Sequence, residues 1–540
     1  MVHRITGPHL FGLDTGAAIW GNWTVEELEE ILKKISIGAA QMSMVIQPVI
    51  HHHKTGQVIV CPFPCDVLYT ACDFLEWAIG DIPEFEGVFQ QYLQEVNIQW
   101  RDLKDWAVQQ QIPVFDDEDG LTLGTGQYSQ TWPLDQLPKI SELEPQQFQK
   151  VPTVYITGTN GKTTTTRMLA SIARQAHFQK VGMTSTDGVL INQEYLSEGD
   201  WTGPGAARQI LRHPEVDFAI LETARGGMMR RGLVMANVDA AAITNVSQDH
   251  LGKWGLHSVA DMAMAKLTVA YGISEKGVLV LNANCEALVS AWNQHPLNGQ
   301  CQVCWFSTNA AHRDQVDIWL DGNHIVHHQK GVILDITKMP LSLNGCALYN
   351  VENAMAAIAL AFVVGISIES IKQGLYLLSP NQKDSQGRSN WLQLNGADII
   401  LDFAHNPDGI QRLVELGMRW NAQRTFIILG QAGDRSDDHI GNMAQAAIPL
   451  NAQQYLLKEL PKHAYEREPF EVVRLMREAL IAAGIDEGAI VDFKTEQMAA
   501  EYALSMLQKG DLLLLLSHEE LKSVIPMLES FGAQWVHHSQ

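Results

Sequence analysis

The stretch Val154 to Arg167 reads VYITGTNGKTTTTR, and it decides the fold of the chain around it. An apolar, β-branched run enters a Gly-containing turn, then Lys162 and four threonines, then Met168, Leu169, Ile172 and Ala173 on one helical face. That order is strand, phosphate loop, helix. Gly158 and Gly161 permit backbone conformations that turn successive N–H groups, those of Thr159 and Asn160 among them, inward as a nest for phosphate oxygens. The helix N-terminus adds donors and partial positive charge. Lys162 can set a point charge on the outer phosphates, and Thr163 or Thr164 can offer a hydroxyl to Mg²⁺. The pattern G-x-x-x-x-G-K-[ST] would require Gly at Ile156, so a plain Gly-rich turn is the competing reading. The strand ahead and the threonines behind favour a nucleoside triphosphate.

Around this loop, residues 151–385 alternate strand-like runs (Val154–Thr157, Phe218–Glu222, Ala240–Thr244, Gly277–Leu281) with helical stretches. This predicts a parallel sheet flanked by helices, with ligands at the carboxyl ends of the strands. The candidate residues fall there. Glu222 ends the run FAILE, where a Mg²⁺ ligand is needed, although a helix cap or a solvated strand-end acid would look the same. His250 follows the next strand in TNVSQDH, where an imidazole can ligate a metal or hold its water; a lone His is more often structural. Lys266, within the helical stretch 261–269, reads by spacing alone as a solvated lysine. Asn350 and Asn353 share a helix face and can cap the helix or meet a nucleobase.

Residues 386–540 alternate again, with strands at Ile399–Asp402, Thr425–Gly430 and Asp511–Leu516, and loops carrying His405, Asp434 and Arg435. A second, smaller α/β domain is expected. Residues 1–110 form an α+β unit: helices near 26–35 and 67–79, strands near 42–50 and 57–62. Between these units, 111–150 holds the acidic run Asp116 to Asp119 and spaced prolines, which reads as a linker or a surface-hugging connection.

At 540 residues the chain has room for about three domains. A net charge of −23 argues against nucleic acid, whose binding needs Lys and Arg on phosphates. No apolar run is long enough to span a bilayer and the first residues lack the build of a signal peptide, so a cytoplasmic protein is expected, without membrane or nucleic-acid partners. Seven scattered cysteines, Cys301-x-x-Cys304 and Cys61-x-x-x-Cys65 included, read as structural thiols. The runs 51–53 and 327–328 of histidine lack ligand spacing and read as solvated.

Taken together, ITGTNGKTTTTR, LETARGG, TNVSQDHLG, VLNAN, LYNVENAMAA, Gly387-Arg388 and DFAHNPDG resemble the Mur ligase family of ATP-dependent amide-bond formers. Within it, the stretches at 199–204, 222–227 and 387–390 are similar to the Mur-like half of cyanophycin synthetases. The resemblance implies a central P-loop-type sheet domain at 151–385, a smaller Rossmann-like domain at 386–540, and an N-terminal α+β domain. It also implies roles. The 158–163 loop would hold phosphates; Thr163, Glu222, His250 and, if carbamylated, Lys266 would sit at Mg²⁺. Asn350 would lie near the adenine, with Arg388, Asp402 and His405 on the nucleotide.

The reaction implied is activation of a carboxylate as an acyl phosphate, then attack by an amino acid or related amine on a peptide-like acceptor. Folylpolyglutamate- or wall-type glutamate ligation is the alternative, as is a catalytically silent nucleotide-binding partner of a separate ATP-grasp enzyme. Association into a homo-oligomer stays open. Three departures are visible: Asn284 and Cys285 stand where the family commonly shows two acids, no D-N-P-R-type sequence follows residue 386, and 111–150 cannot hold the ATP-grasp module that cyanophycin synthetases carry between their halves.

Overall fold

The computed structural model describes residues 2–12, 15–53, 56–248, 256–385 and 387–536. It divides into one unit of residues 1–246, 250–306 and 356–370, and another of 247–249, 307–355 and 371–540.

In the first unit, Thr153–Thr157 is buried at every position, as a strand covered on both faces requires. It lies between Phe218–Glu222 and Val238–Ile243, and pairing continues in parallel to Val181–Ser185 on one side and to Ile273–Asn282 and Gln302–Ser307 on the other. The hairpin Gly188–Ile191 and Glu194–Glu198 extends one edge antiparallel. Register fixes the rest. Glu222 stands opposite Ile156 and Ile243 opposite Thr157, so three strands deliver their carboxyl ends to one edge of the sheet.

Residues at the N-terminus form an antiparallel sheet ordered Val2–Ile5, Gly16–Gly21, Gly56–Pro62, Val49–His53. One face buries Ile19 and Ile59 against Ile35, Phe74 and Leu75 of the helices Val25–Gln41 and Leu68–Ile79, as an α+β unit should. The strand expected at 42–50 begins only at Val49: Met42 caps the helix, Ser43 takes a left-handed φ of 55°, and Pro48 has no N–H to pair. Beyond the first strand the chain docks on the segment 229–233. Thr6 N–H donates to Arg231 O at 2.8 Å, Leu233 N–H to Pro8 O at 2.8 Å, and His9 Nε2 to Met229 O at 3.2 Å. A Cβ on Gly7 would lie 1.9 Å from Leu233 O, so only glycine fits.

The stretch 111–150, expected as a linker, instead contains a three-stranded antiparallel sheet, Val114–Asp117, Gly120–Leu123 and Gln130–Trp132. Leu121, Leu123 and Phe148 bury against Leu103 and Ala107. Its acids pair with cations, Asp116 and Asp117 away from solvent and Glu118 at the surface. Asp116 meets Lys104 at 2.7 Å, Asp117 takes a bidentate Arg212 at 3.0 and 2.7 Å, and Glu118 meets Arg4 at 3.3 Å.

The second unit carries the sheet Ile490–Phe493, Gln454–Lys458, Thr425–Leu429, Leu512–Leu516, Ala397–Asp402, Asn390–Leu394, Gln534–Trp535. The first five strands are parallel and apolar clusters cover both faces, the Rossmann-like arrangement expected. At its strand ends, Lys458 and Glu496 pair at 0% and 1% side-chain exposure. Lys458 Nζ also donates to Leu516 O at 2.5 Å, and Glu496 accepts from Ser517 Oγ and, at 2.9 Å, from His518 N–H. All seven cysteines are thiols, and burial pushes Cys61 and Cys65 up to about 12, consistent with packing roles. His327 is buried rather than solvated. Among the described residues no helix is long and apolar enough to cross a membrane.

Candidate active site

The turn after Thr157 is built from backbone constraints. Gly158 has φ of +155°, and a Cβ there would lie 1.9 Å from Thr244 Oγ1. Gly161, at φ 85°, caps the helix Lys162–Arg174. The neighbouring strand end clamps the loop. Thr159 N–H donates to Asn245 O at 3.0 Å and Asn160 N–H to Asn245 Oδ1 at 2.9 Å, while Asn245 Nδ2 and Thr244 Oγ1 donate to Asn160 O at 2.9 and 2.6 Å. Asn160 is thereby fixed on both its amide and its carbonyl. Lys162 Nζ curls back to Thr159 O at 3.0 Å, across the mouth of the loop. The N–H groups of Thr159 and Asn160, expected to turn toward phosphate, are thus taken by Asn245, and the donors left to suit phosphate oxygens are those at the start of the helix, with Lys162 beside them.

Thr163, 4% exposed, sits in the first turn, its Oγ1 3.0 Å from Thr186 Oγ1; Thr164 follows it. Glu222, 2% exposed, ends the strand paired with Thr153–Thr157, and its carbonyl accepts from Thr184 Oγ1 at 3.3 Å. A hydroxyl and one carboxylate are hard oxygen donors, the kind Mg²⁺ takes alongside phosphate. Among the described residues no group of three or more His, Cys, Asp or Glu could hold a metal. Lys266 closes the helix Val259–Lys266, whose start is capped by Ser258 and Asp261. At 3% exposure it is buried, unlike the solvated lysine that spacing suggests. His250 lies outside the described residues, as does Asp249.

In place of the two acids, Asn284 N–H donates to Asn282 Oδ1 at 2.9 Å, and Cys285 Sγ exchanges 3.3 Å hydrogen bonds with the backbone of Val246. These positions tie the loop after Ile273–Asn282 to the loop after Val238–Ile243.

The remaining sequence candidates belong to the second unit. Asp402 ends a strand, and its carboxylate accepts from Ser389 N–H at 2.8 Å and Ala404 N–H at 2.9 Å. Burial pushes it above the usual carboxylate range, while the Ser389 backbone hydrogen bond and the Arg388 charge pull the other way. Arg388 lies 5.7 Å from the Phe403 ring centre. His405 has Nδ1 3.1 Å from Phe403 O, and its own carbonyl accepts from Gln431 Nε2 at 3.1 Å. Asn350 is 2% exposed, its amide donating to Leu341 O at 2.8 Å and Ser389 Oγ at 3.1 Å, its oxygen accepting from Asn353 at 3.2 Å. So Asn350 organises the Ser389 turn next to Asp402.

The sequence alone assigns no role to Thr244, Asn245 or Thr186. A polar pair just past a strand is a weak signal; the register that brings Ile243 beside Thr157 gives it meaning.

Residues 156–361 match the Mur ligase middle domain, and residues 387–518 match the Mur ligase, glutamate ligase domain. The cyanophycin synthetase of Crocosphaera subtropica is 33% identical over 393 residues, covering 70% of this chain and 44% of that one. The UDP-N-acetylmuramoyl-L-alanyl-D-glutamate–2,6-diaminopimelate ligase of Geobacillus thermodenitrificans is 25% identical over 371 residues, covering 67% of this chain and 72% of that one. The chain thus spans less than half the length of the cyanophycin synthetases it matches. Among solved structures, the bifunctional folylpolyglutamate synthase/dihydrofolate synthase of Yersinia pestis, complexed with AMPPNP and Mn, is similar with a TM-score of 0.52 at 18% identity, over 71% of this chain and 89% of that one. That likeness concerns the fold.

Proposed function

The chain belongs to the Mur ligase family, and on that premise we propose that it is an ATP-dependent ligase joining an amino acid or related amine to a carboxylate of a peptide-like acceptor. One observation carries the reading: a phosphate loop locked by Thr244 and Asn245 beside a buried strand-end carboxylate, Glu222. ATP supplies the phosphoryl group that makes the acceptor carboxylate an acyl phosphate, and Mg²⁺ supplies charge against the phosphate oxygens. With the N–H groups of Thr159 and Asn160 spent on Asn245, those at the start of the helix Lys162–Arg174 bind the phosphates, and Lys162 swings from Thr159 O to offset charge spreading on the transferred group. Thr163 and Glu222 would hold the Mg²⁺, with His250 and a carbamylated Lys266 as further ligands. The amine then attacks the acyl carbon, and phosphate leaves from the tetrahedral intermediate as the amide forms.

Glutamate is the amine to test first, because residues 387–518 match the glutamate ligase domain. Phosphate release is to be followed over amines paired with short acidic peptides, in the presence of Mg²⁺ and ATP. Release is expected only with a specific pair, and Lys162→Ala should lower it by roughly 10²-fold or more while the fold is kept. Binding of ATP without release under any pair would overturn the ligase reading in favour of a silent nucleotide-binding partner.

A further inference from the structure

We propose that Thr186 is a positioning residue for the cation: its hydroxyl oxygen accepts a hydrogen bond from the Thr163 hydroxyl and so leaves a lone pair of Thr163 turned to Mg²⁺. This rests on the ligase reading and deepens it. Thr163, 4% exposed, has Oγ1 3.0 Å from Thr186 Oγ1, and among the described residues that is the hydroxyl's hydrogen-bond partner. A threonine hydroxyl carries one proton and two lone pairs. Where it ligates a cation through a lone pair, its proton has to find another acceptor, or the oxygen turns away. Ligation therefore sets the direction of this bond. Thr163 donates and Thr186 accepts.

The turn that carries Thr186 is held in place from several sides. It follows the strand Val181–Ser185 and leads into Gly188–Ile191. Thr163 and Arg167 lie one helical turn apart on the same face, and they meet two successive residues of the turn. Thr163 meets Thr186, and Arg167 Nη2 donates to Asp187 Oδ2 at 2.7 Å. Within the turn, Asp187 N–H donates to Ser185 Oγ at 3.1 Å, and Ser185 Oγ donates to Gly188 O at 3.3 Å. Gly199 N–H donates to Asp187 O at 3.1 Å, and a Cβ on Gly188 would lie 2.3 Å from Ser197 O, so the hairpin closes only on glycine. The strand before the turn is bonded to the other residue proposed for Mg²⁺: Thr184 stands opposite Leu221, and Thr184 Oγ1 donates to Glu222 O at 3.3 Å. One short segment thus reaches Thr163 by a side chain and Glu222 by its backbone. Packing alone would be met by a valine of the same shape at 186; orienting the Thr163 hydroxyl needs the oxygen.

The test is calorimetric titration of the full chain with AMPPNP, once in Mg²⁺ and once in EDTA, so that the ratio of the two affinities reports the gain due to the cation. Thr186→Val, which keeps the shape and removes the acceptor, should lower the affinity in Mg²⁺ about tenfold and leave that in EDTA within about twofold, which also reports that the fold is kept. Thr186→Ser, which restores the acceptor, should stay within about threefold of wild type under both conditions. Thr163→Val should lose the same gain, and Thr186→Val added to it should cost less than about a further twofold, because the hydroxyl to be oriented is gone. An undiminished gain in Thr186→Val, a loss of equal size with and without Mg²⁺, independent losses in the double variant, or a wild type whose AMPPNP affinity ignores Mg²⁺ would each overturn the proposal. The ligase reading fails separately, when no pair of substrates releases phosphate from the wild type although Mg²⁺ strengthens AMPPNP binding.

Discussion

Replacing Lys458 by Met removes one charge from a pair that has almost no water around it. The aliphatic stem is retained in volume, but the Glu496 carboxylate is left with Ser517 Oγ and His518 N–H as its donors. Breaking a buried pair on one side typically costs about 3–5 kcal/mol, because the remaining charge stays desolvated. The loss should depend on pH. In the wild type, burial pushes Glu496 up, but the charge and hydrogen bond of Lys458 outweigh it and hold the carboxyl below its ordinary value. That stabilisation is present above the ordinary value and fades as pH falls through the lowered one. In the variant burial acts without the lysine, so the carboxyl rises above its ordinary value, and stability is lost as pH climbs through it. The deficit should therefore be full near neutrality and shrink toward pH ~4.5. Adding Glu496→Gln should restore at least ~2 kcal/mol at pH 7, since the amide oxygen still accepts while the buried charge is gone. Native-state hydrogen exchange of the strand Leu512–Leu516 follows this unit by itself. A single variant within ~1 kcal/mol of wild type at pH 7, or a double variant worse than the single, would refute the reasoning.

Gly158→Ala must push Thr244 Oγ1 off Asn160 O and opens the clamp, so AMPPNP affinity should fall at least tenfold with the fold retained; affinity within twofold would show that the loop accommodates a side chain. His9 is held neutral, since burial pushes it down to about 4 from its ordinary 6.5. Its stabilisation is full above 6.5 and is lost as pH falls toward 4, which amounts to about 2 kcal/mol between pH 7 and 5. Urea denaturation should show that slope and show it flattened in His9→Leu; an identical slope in both would place the titration elsewhere.

The phosphate loop was legible because its information is local: a strand, two glycines, a lysine and a helix follow one another within a few residues. The parallel sheets and the strand-end position of Glu222 were legible for the same reason. What escaped depends on pairing across long sequence distances. The acidic hairpin looked like a linker because the cations that fold onto it, Arg4 and Arg212, come from far along the chain in either direction. Lys266 looked solvated because helical spacing says nothing of what covers a helix. Asn350 carried an implied adenine role, yet its amide is spent on Leu341 and Ser389, a use that only the folded turn reveals.

The docking of residues 6–9 onto the segment 229–233 bears on how such chains can be recombined. A boundary drawn near residue 110 invites the transplantation of one half onto another protein. Yet Pro8 supplies the acceptor for Leu233 N–H, His9 takes up Met229 O, and Gly7 fits against Leu233 without a side chain to spare. Severed there, the half that carries Gly158 to Thr163 would have raw backbone at the end of the very helix that starts three residues after Glu222. The opening residues thus act as a keystone, and exchange between relatives would have to carry both sides of this joint together.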